Sequence, residues 1–130
     1  MAVVEWGPSQ RKEVQTVDQL DALLDAVASK ARSQAMPQNV QVTVGDAGTL
    51  SVVVGADRSV LNHVPSHLGP PYMISLGEEA GDEPFVFYVA GDHYSEVRWR
   101  NTIHLDPARD AIRRFLRTGE LSADVEWEEG

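Results

Sequence analysis

Apolar residues recur at two spacings along this chain, and the change of period marks its elements. Ala2-Val3-Val4-Glu5-Trp6 is short, β-branched and aromatic, and stops at Gly7-Pro8, which predicts a strand. From Val17 the period becomes helical: Val17, Leu20, Leu24, Val27 and Ala31 share a stripe, with Leu23 and Ala28 beside it. Thr16 holds the N-cap position and Gln19 follows three residues on, the sequence of a capping box. Asp18, Asp21 and Asp25 lie early and Lys30 and Arg32 late, as the helix dipole favours, and Pro37 stops the helix.

The centre reads as strands. Val40, Val42 and Val44 alternate with Gln41 and Thr43, and Gly45-Asp46-Ala47-Gly48 turns the chain into residues 50–54, a hairpin. Residues 59–64 form a weaker strand, 65–71 a loop, 72–76 a strand and 77–84 an acidic loop. Residues 85–90 are apolar and aromatic, the pattern of a central strand. Gly91-Asp92-His93 is a tight turn into a strand over 94–103, with Val97 and Trp99 on one face and Arg98 and Arg100 on the other. A second helix follows, with Asp106 as N-cap, Pro107 in the first position and Gly119 at C′. Its apolar stripe is Ala108, Ala111, Ile112, Phe115 and Leu116. Val125-Glu126-Trp127 ends the series as a short edge strand.

Short links between successive strands force antiparallel neighbours, and two amphipathic helices need an apolar surface to cover. The expectation is an α+β fold: a twisted, mostly antiparallel sheet with both helices packed on one face. The 130 residues suit one domain spanning 1–130. Hydrophobic content of 42% is ordinary for a folded chain. There is no cysteine, which removes disulfides, thiolate metal sites and cysteine nucleophiles. The N-terminus lacks a basic stretch followed by an apolar one, and no apolar run approaches the roughly 20 residues that span a bilayer, so a cytoplasmic protein is expected.

Charge changes the picture most. The net charge is -9, and residues 37–97 hold one basic group, Arg58, against eight acids, so that stretch alone supplies -7. Such a surface repels nucleic acid and anionic membrane and attracts basic partners. The bland alternative is that acidity only maintains solubility.

Catalytic and metal-binding patterns are weak. His63 and His67 are four apart but flank Pro65, and read as exposed loop histidines rather than metal ligands. Asp92, His93 and Ser95 hold the residue types of an acid, base and nucleophile, but share one tight turn with no nucleophile elbow. Gly69-Pro70-Pro71 is a rigid turn, not a phosphate cradle. Arg109, Arg113 and Arg117 form a stripe best read as a solvated helix face, with an Asp110–Arg114 pair. No catalytic residue, cofactor site or metal site is assigned.

An ordered set of residues resembles a known family. It comprises Val60-Leu61-x-x-Val64, Gly69-Pro70-Pro71-Tyr72, Phe87-Tyr88-x-x-Gly91 with Glu96, Phe115-Leu116-Arg117-Thr118-Gly119 and Val125-x-Trp127. The set is similar to the first-numbered immunity protein family of bacterial polymorphic toxin systems. The resemblance implies a non-enzymatic antidote that binds a cognate secreted toxin, often a nucleic-acid deaminase, and is monomeric when free. Contacts are assigned here on charge and aromatic character alone: Glu78, Glu79, Asp82, Glu83, Asp92 and Glu96 for steering, Trp99 and Trp127 as anchors, though either tryptophan also suits the core. Two rivals share the composition. One is an acidic secretion or effector chaperone, and the other a small ligand-binding module around Tyr72, His93, Tyr94 and Trp99.

Overall fold

The computed structural model describes residues 2–130. Ala2–Trp6 (β1) buries Ala2 and Val4, and Gly7, at φ +64, returns the chain as Gln10–Val14 (β2), with Ala2 opposite Val14. Periodicity does not predict β2, because only Val14 of its five residues is buried. Val17–Gln34 (α1) opens on the expected capping box: Thr16 Oγ1 accepts the Gln19 N–H at 3.1 Å and Gln19 Oε1 accepts the Thr16 N–H at 3.3 Å. Leu20, Leu24, Val27 and Ala31 are its buried face, and Ala35, at φ 54, closes it ahead of Pro37.

Gln38–Val44 (β3) and Gly48–Val54 (β4) form the expected hairpin around a 3₁₀ turn at Gly45–Ala47. Arg58–Ser59 (β5), Leu61–Val64 (β6) and Met73–Leu76 (β7) follow, then Pro84–Val89 (β8) and His93–Arg98 (β9). Ile103–His104 (β10), Leu105–Thr118 (α2) and Glu126–Glu129 (β11) complete the chain. The main sheet runs β11-β7-β6-β4-β3-β1-β2, all antiparallel; β10 pairs with β5 apart from it.

Alternation along the central strands sorts the two faces. Val40, Val42, Leu50, Val52 and Leu61 meet Leu20 and Leu24 of α1 and Ala111, Ile112 and Phe115 of α2 in one apolar cluster. Both helices therefore cover the same face, and the α+β architecture holds. Full burial of a leucine or phenylalanine side chain contributes about 1.5–3 kcal/mol, so this face carries most of the stability. On the opposite face Val53 and Val60 meet Phe85 and Phe87 in a second, smaller core.

Three expectations need correction. The strand over 85–90 is not central: β8 pairs along its length with β9 but joins β3 only by a parallel bridge, Gln38 opposite Tyr88. Its apolar residues serve the second core instead. The strand expected over 94–103 ends at Arg98, and Trp99–Asn101 form a 3₁₀ turn that seats the Trp99 ring edge-on to Phe85, centroids 6.3 Å apart. Helix α2 starts at Leu105, so Pro107 is its third residue and Asp106 lies within its first turn. Proline costs little there, because first-turn N–H groups have no partner inside the helix.

Candidate partner-binding surface

The acidic loop over 77–84 is anchored at both ends. The Gly77 N–H donates to the Arg100 carbonyl at 2.7 Å, and a Cβ on Gly77 would overlap the Thr102 carbonyl oxygen. At the far end Trp99 N–H donates to the Glu83 carbonyl at 2.8 Å, and Arg100 N–H to the Gly81 carbonyl at 3.1 Å. The loop is thus fixed on the turn that follows β9.

Beside it lies a cleft of about 270 Å³ between the end of β7, the start of α2 and the start of β11. Buried Ile103 and Val125 contribute apolar lining, and the exposed carboxylates Glu78, Glu79, Asp124 and Glu126 line it as well. Strand pairing explains the meeting: β11 lies antiparallel to β7 with Glu126 opposite Leu76, the residue before Gly77-Glu78. Asp124 and Glu126 are not among the contact residues expected from the sequence, and only a pairing across some fifty residues brings them to Glu78.

Arg58 is the one base of the acidic stretch, and it is fully engaged. Its side chain is buried, with Nε donating to Thr102 Oγ1 at 2.7 Å, Nη2 to the Thr102 carbonyl at 3.0 Å and Nη1 to Glu79 Oε2 at 2.8 Å. The guanidinium also sits 5.1 Å from the Trp99 ring centroid. Glu79 is thereby tied inward. Glu78, Asp82, Glu83, Asp124 and Glu126 make no ion pair among the described residues, and all five are exposed.

The remaining sequence candidates lie elsewhere. Asp92 is at the tip of the β8–β9 ribbon, while Glu83 precedes its root at the Pro84–Arg98 pair, roughly 17 Å away at strand rise. Glu96 is exposed on β9 and accepts the Tyr94 hydroxyl at 2.8 Å. That hydrogen bond, with the carboxylate charge, holds the Tyr94 phenol above its ordinary pKa. Trp99 is half-buried in the second core, and Trp127 is half-buried on the main one, its Nε1–H donating to the Ser122 carbonyl at 3.0 Å. Each ring offers a partner only its remaining exposed edge.

Two of the three arginines in the α2 stripe are paired, while Arg117 is exposed and has no ion pair among the described residues. Arg109 reaches Asp21 at 3.4 Å and Asp25 at 2.9 Å, and Arg113 reaches Asp21 and Asp110, both at 3.0 Å. The hydrogen bond to Asp21 raises the Arg113 pKa. The expected Asp110–Arg114 pair is replaced by Asp110–Arg113, and Arg114 lies 3.8 Å from Glu120. The contacts of Arg109 and Arg113 with Asp21 and Asp25 tie α2 to α1.

His63 is not an exposed loop residue. It is half-buried on β6, its Nε2 2.7 Å from the Ala47 carbonyl and its ring edge-on to Phe115. His67 is exposed, as expected. Among the described residues no group of three or more His, Asp or Glu side chains could hold a metal ion, and no hydrogen bond joins the side chains of Asp92, His93 and Ser95. Tyr72, Tyr94 and Trp99 sit on three different parts of the fold rather than around one pocket. Among the described residues no helix is long and apolar enough to cross a membrane.

No curated protein matches this sequence. A protein-family model, Immunity protein Imm1, matches residues 9–129, from β2 through β11. The chain therefore belongs to the Imm1 family of immunity proteins.

Proposed function

We propose that this chain neutralises a cognate secreted toxin domain, a nucleic-acid deaminase, by presenting its acidic cleft to the basic groove with which such a toxin grips its substrate. Family membership supports an immunity protein with a toxin as partner. One observation carries the finer reading. The acids between α1 and α2 are paired with arginines, whereas Glu78, Asp124 and Glu126 line one cleft, exposed and without an ion pair among the described residues, and Asp82 and Glu83 stand exposed on the adjoining loop. A deaminase acting on a flipped or single-stranded base needs cationic contacts to the backbone phosphates, and carboxylates held on a firm loop compete for those contacts. Asp92 and Glu96 on the ribbon extend the negative surface, and Trp99 and Trp127 remain candidate anchors at their exposed edges. Neutralisation in this reading is steric and electrostatic, without catalysis, and takes place in the cytoplasm of the producing cell.

The test uses a toxin domain found encoded beside the gene for this chain. Deamination of single-stranded DNA or RNA by that domain should fall to background at one equivalent of this chain, and the two should elute as one complex. Full deamination in the presence of excess chain, or the absence of a complex, would contradict the proposal.

A further inference from the structure

Leu68 combines two unfavourable features at one position. The residue is 76% exposed, the most open of the large apolar residues described, and its backbone is left-handed at φ 63. The other non-glycine residues with left-handed φ among those described are Ala35, which caps α1, and Ala90, in the turn between β8 and β9. Both are small and each ends an element. Leu68 is branched, ends no element and belongs to neither apolar cluster. Glycine or asparagine would hold the same backbone at lower cost.

The loop over 65–72 is nevertheless braced. Leu68 N–H donates to the Pro65 carbonyl at 2.9 Å, and the Tyr72 hydroxyl donates to the Leu68 carbonyl at 2.9 Å. The Tyr72 carbonyl accepts the Gly130 N–H at 2.8 Å, which ties the loop to the end of β11. Tyr72 is itself 40% exposed, so Leu68 and Tyr72 form an apolar tip on a fixed support. Strain held by surrounding bonds at an exposed apolar residue points to a binding role.

We infer that Leu68 and Tyr72 anchor the toxin by entering an apolar depression in its basic surface. The placement rests on the reading of the cleft given above. β7 and β11 run as a pair from the cleft, at Leu76 and Glu126, to the loop, at Met73 and Glu129, about 10 Å at strand rise. One partner laid along this edge of the sheet meets both. The exposed, unpaired carboxylates of Asp46 and Glu129 flank the loop, since the turn at Gly48 abuts Pro65 and Ser66. An apolar tip framed by carboxylates fits an apolar pocket framed by cations, and a net charge of -9 on each copy opposes a second copy as occupant.

Leu68→Asn separates this role from a structural one, because asparagine accepts the left-handed backbone but not the apolar pocket. Against the same toxin domain, catalytically inactivated, the variant should dissociate at least about tenfold faster with its association rate nearly unchanged. Its thermal midpoint should equal or exceed that of the wild type. A dissociation rate within twofold of wild type, or a midpoint several degrees lower, would overturn the anchoring role. So would a wild-type dimer in sedimentation that Leu68→Asn dissolves, which would make a second copy the occupant. A wild-type chain that fails to bind the toxin domain at all would overturn the immunity reading and this proposal together.

Discussion

Arg58 and Glu79 form one ion pair, with 2.8 Å between Nη1 and Oε2. Both fall in the acidic stretch, but Arg58 is buried with three hydrogen bonds, and Glu79 is the exposed partner that neutralises it. Hydrogen bonds to a charged group contribute about 1.5–3 kcal/mol, so Arg58→Ala should lower unfolding free energy by roughly that amount in urea titrations. Arg58→Lys should restore little of it, because an ammonium cannot make the planar fork to Thr102 and Glu79 at once. A lysine variant as stable as the wild type would contradict that geometry. Glu79→Gln should cost less than about 1 kcal/mol, since its side chain is 57% exposed. Tyr94 gives a second residue-level check. Its hydroxyl donates to Glu96, which favours the neutral phenol, so Tyr94 should ionise above its ordinary range and Glu96→Gln should bring that titration down. Phenolate absorbance across alkaline pH reads this directly; an unchanged curve in the variant would show that the contact is absent in solution.

At the scale of elements, what was legible is what local chemistry determines. The capping box at Thr16 and Gln19, the αL cap at Gly119 and the central hairpin all follow from neighbours within a few residues. The misreadings share a different cause. β2 is a strand because it lies along β1, not because Gln10-Arg11-Lys12-Glu13 favours one. β8 resembles a buried central strand because Phe85 and Phe87 are apolar, yet they cover the back of the sheet from a ribbon beside it. The cleft was illegible for the same reason: Asp124 and Glu126 reach Glu78 only through the pairing of β11 with β7. The helix layer was legible, and it makes a quantitative prediction. Leu24 and Phe115 have no exposed surface and face each other's elements in one core. Leu24→Ala should cost about 2–5 kcal/mol and Phe115→Ala about 3–5 kcal/mol in chemical denaturation. A loss below 1 kcal/mol at either site would contradict the packing of that helix on the sheet.

Across the whole molecule, arginine–aspartate pairs gather between the two helices. Arg109 and Arg113 pair with Asp21, Asp25 and Asp110 on the helical side, whereas Glu78, Asp124 and Glu126 at the cleft have no ion pair among the described residues, and the proposed function takes the cleft side as the source of negative potential. Long-range attraction of this kind accelerates encounter, while apolar contacts set the lifetime of the complex. The most direct measurement is stopped-flow association with the inactivated toxin domain, comparing the wild type with the triple variant Glu78→Gln, Asp124→Asn, Glu126→Gln. Glu79 is left in place because it neutralises Arg58. At low salt the variant should associate roughly tenfold more slowly or worse, with dissociation little changed. The gap should narrow as the screening length falls from about 30 Å at 0.01 M to about 8 Å at 0.15 M salt. Equal association rates for variant and wild type at low salt would contradict the claim that the acidic cleft guides the toxin to this protein.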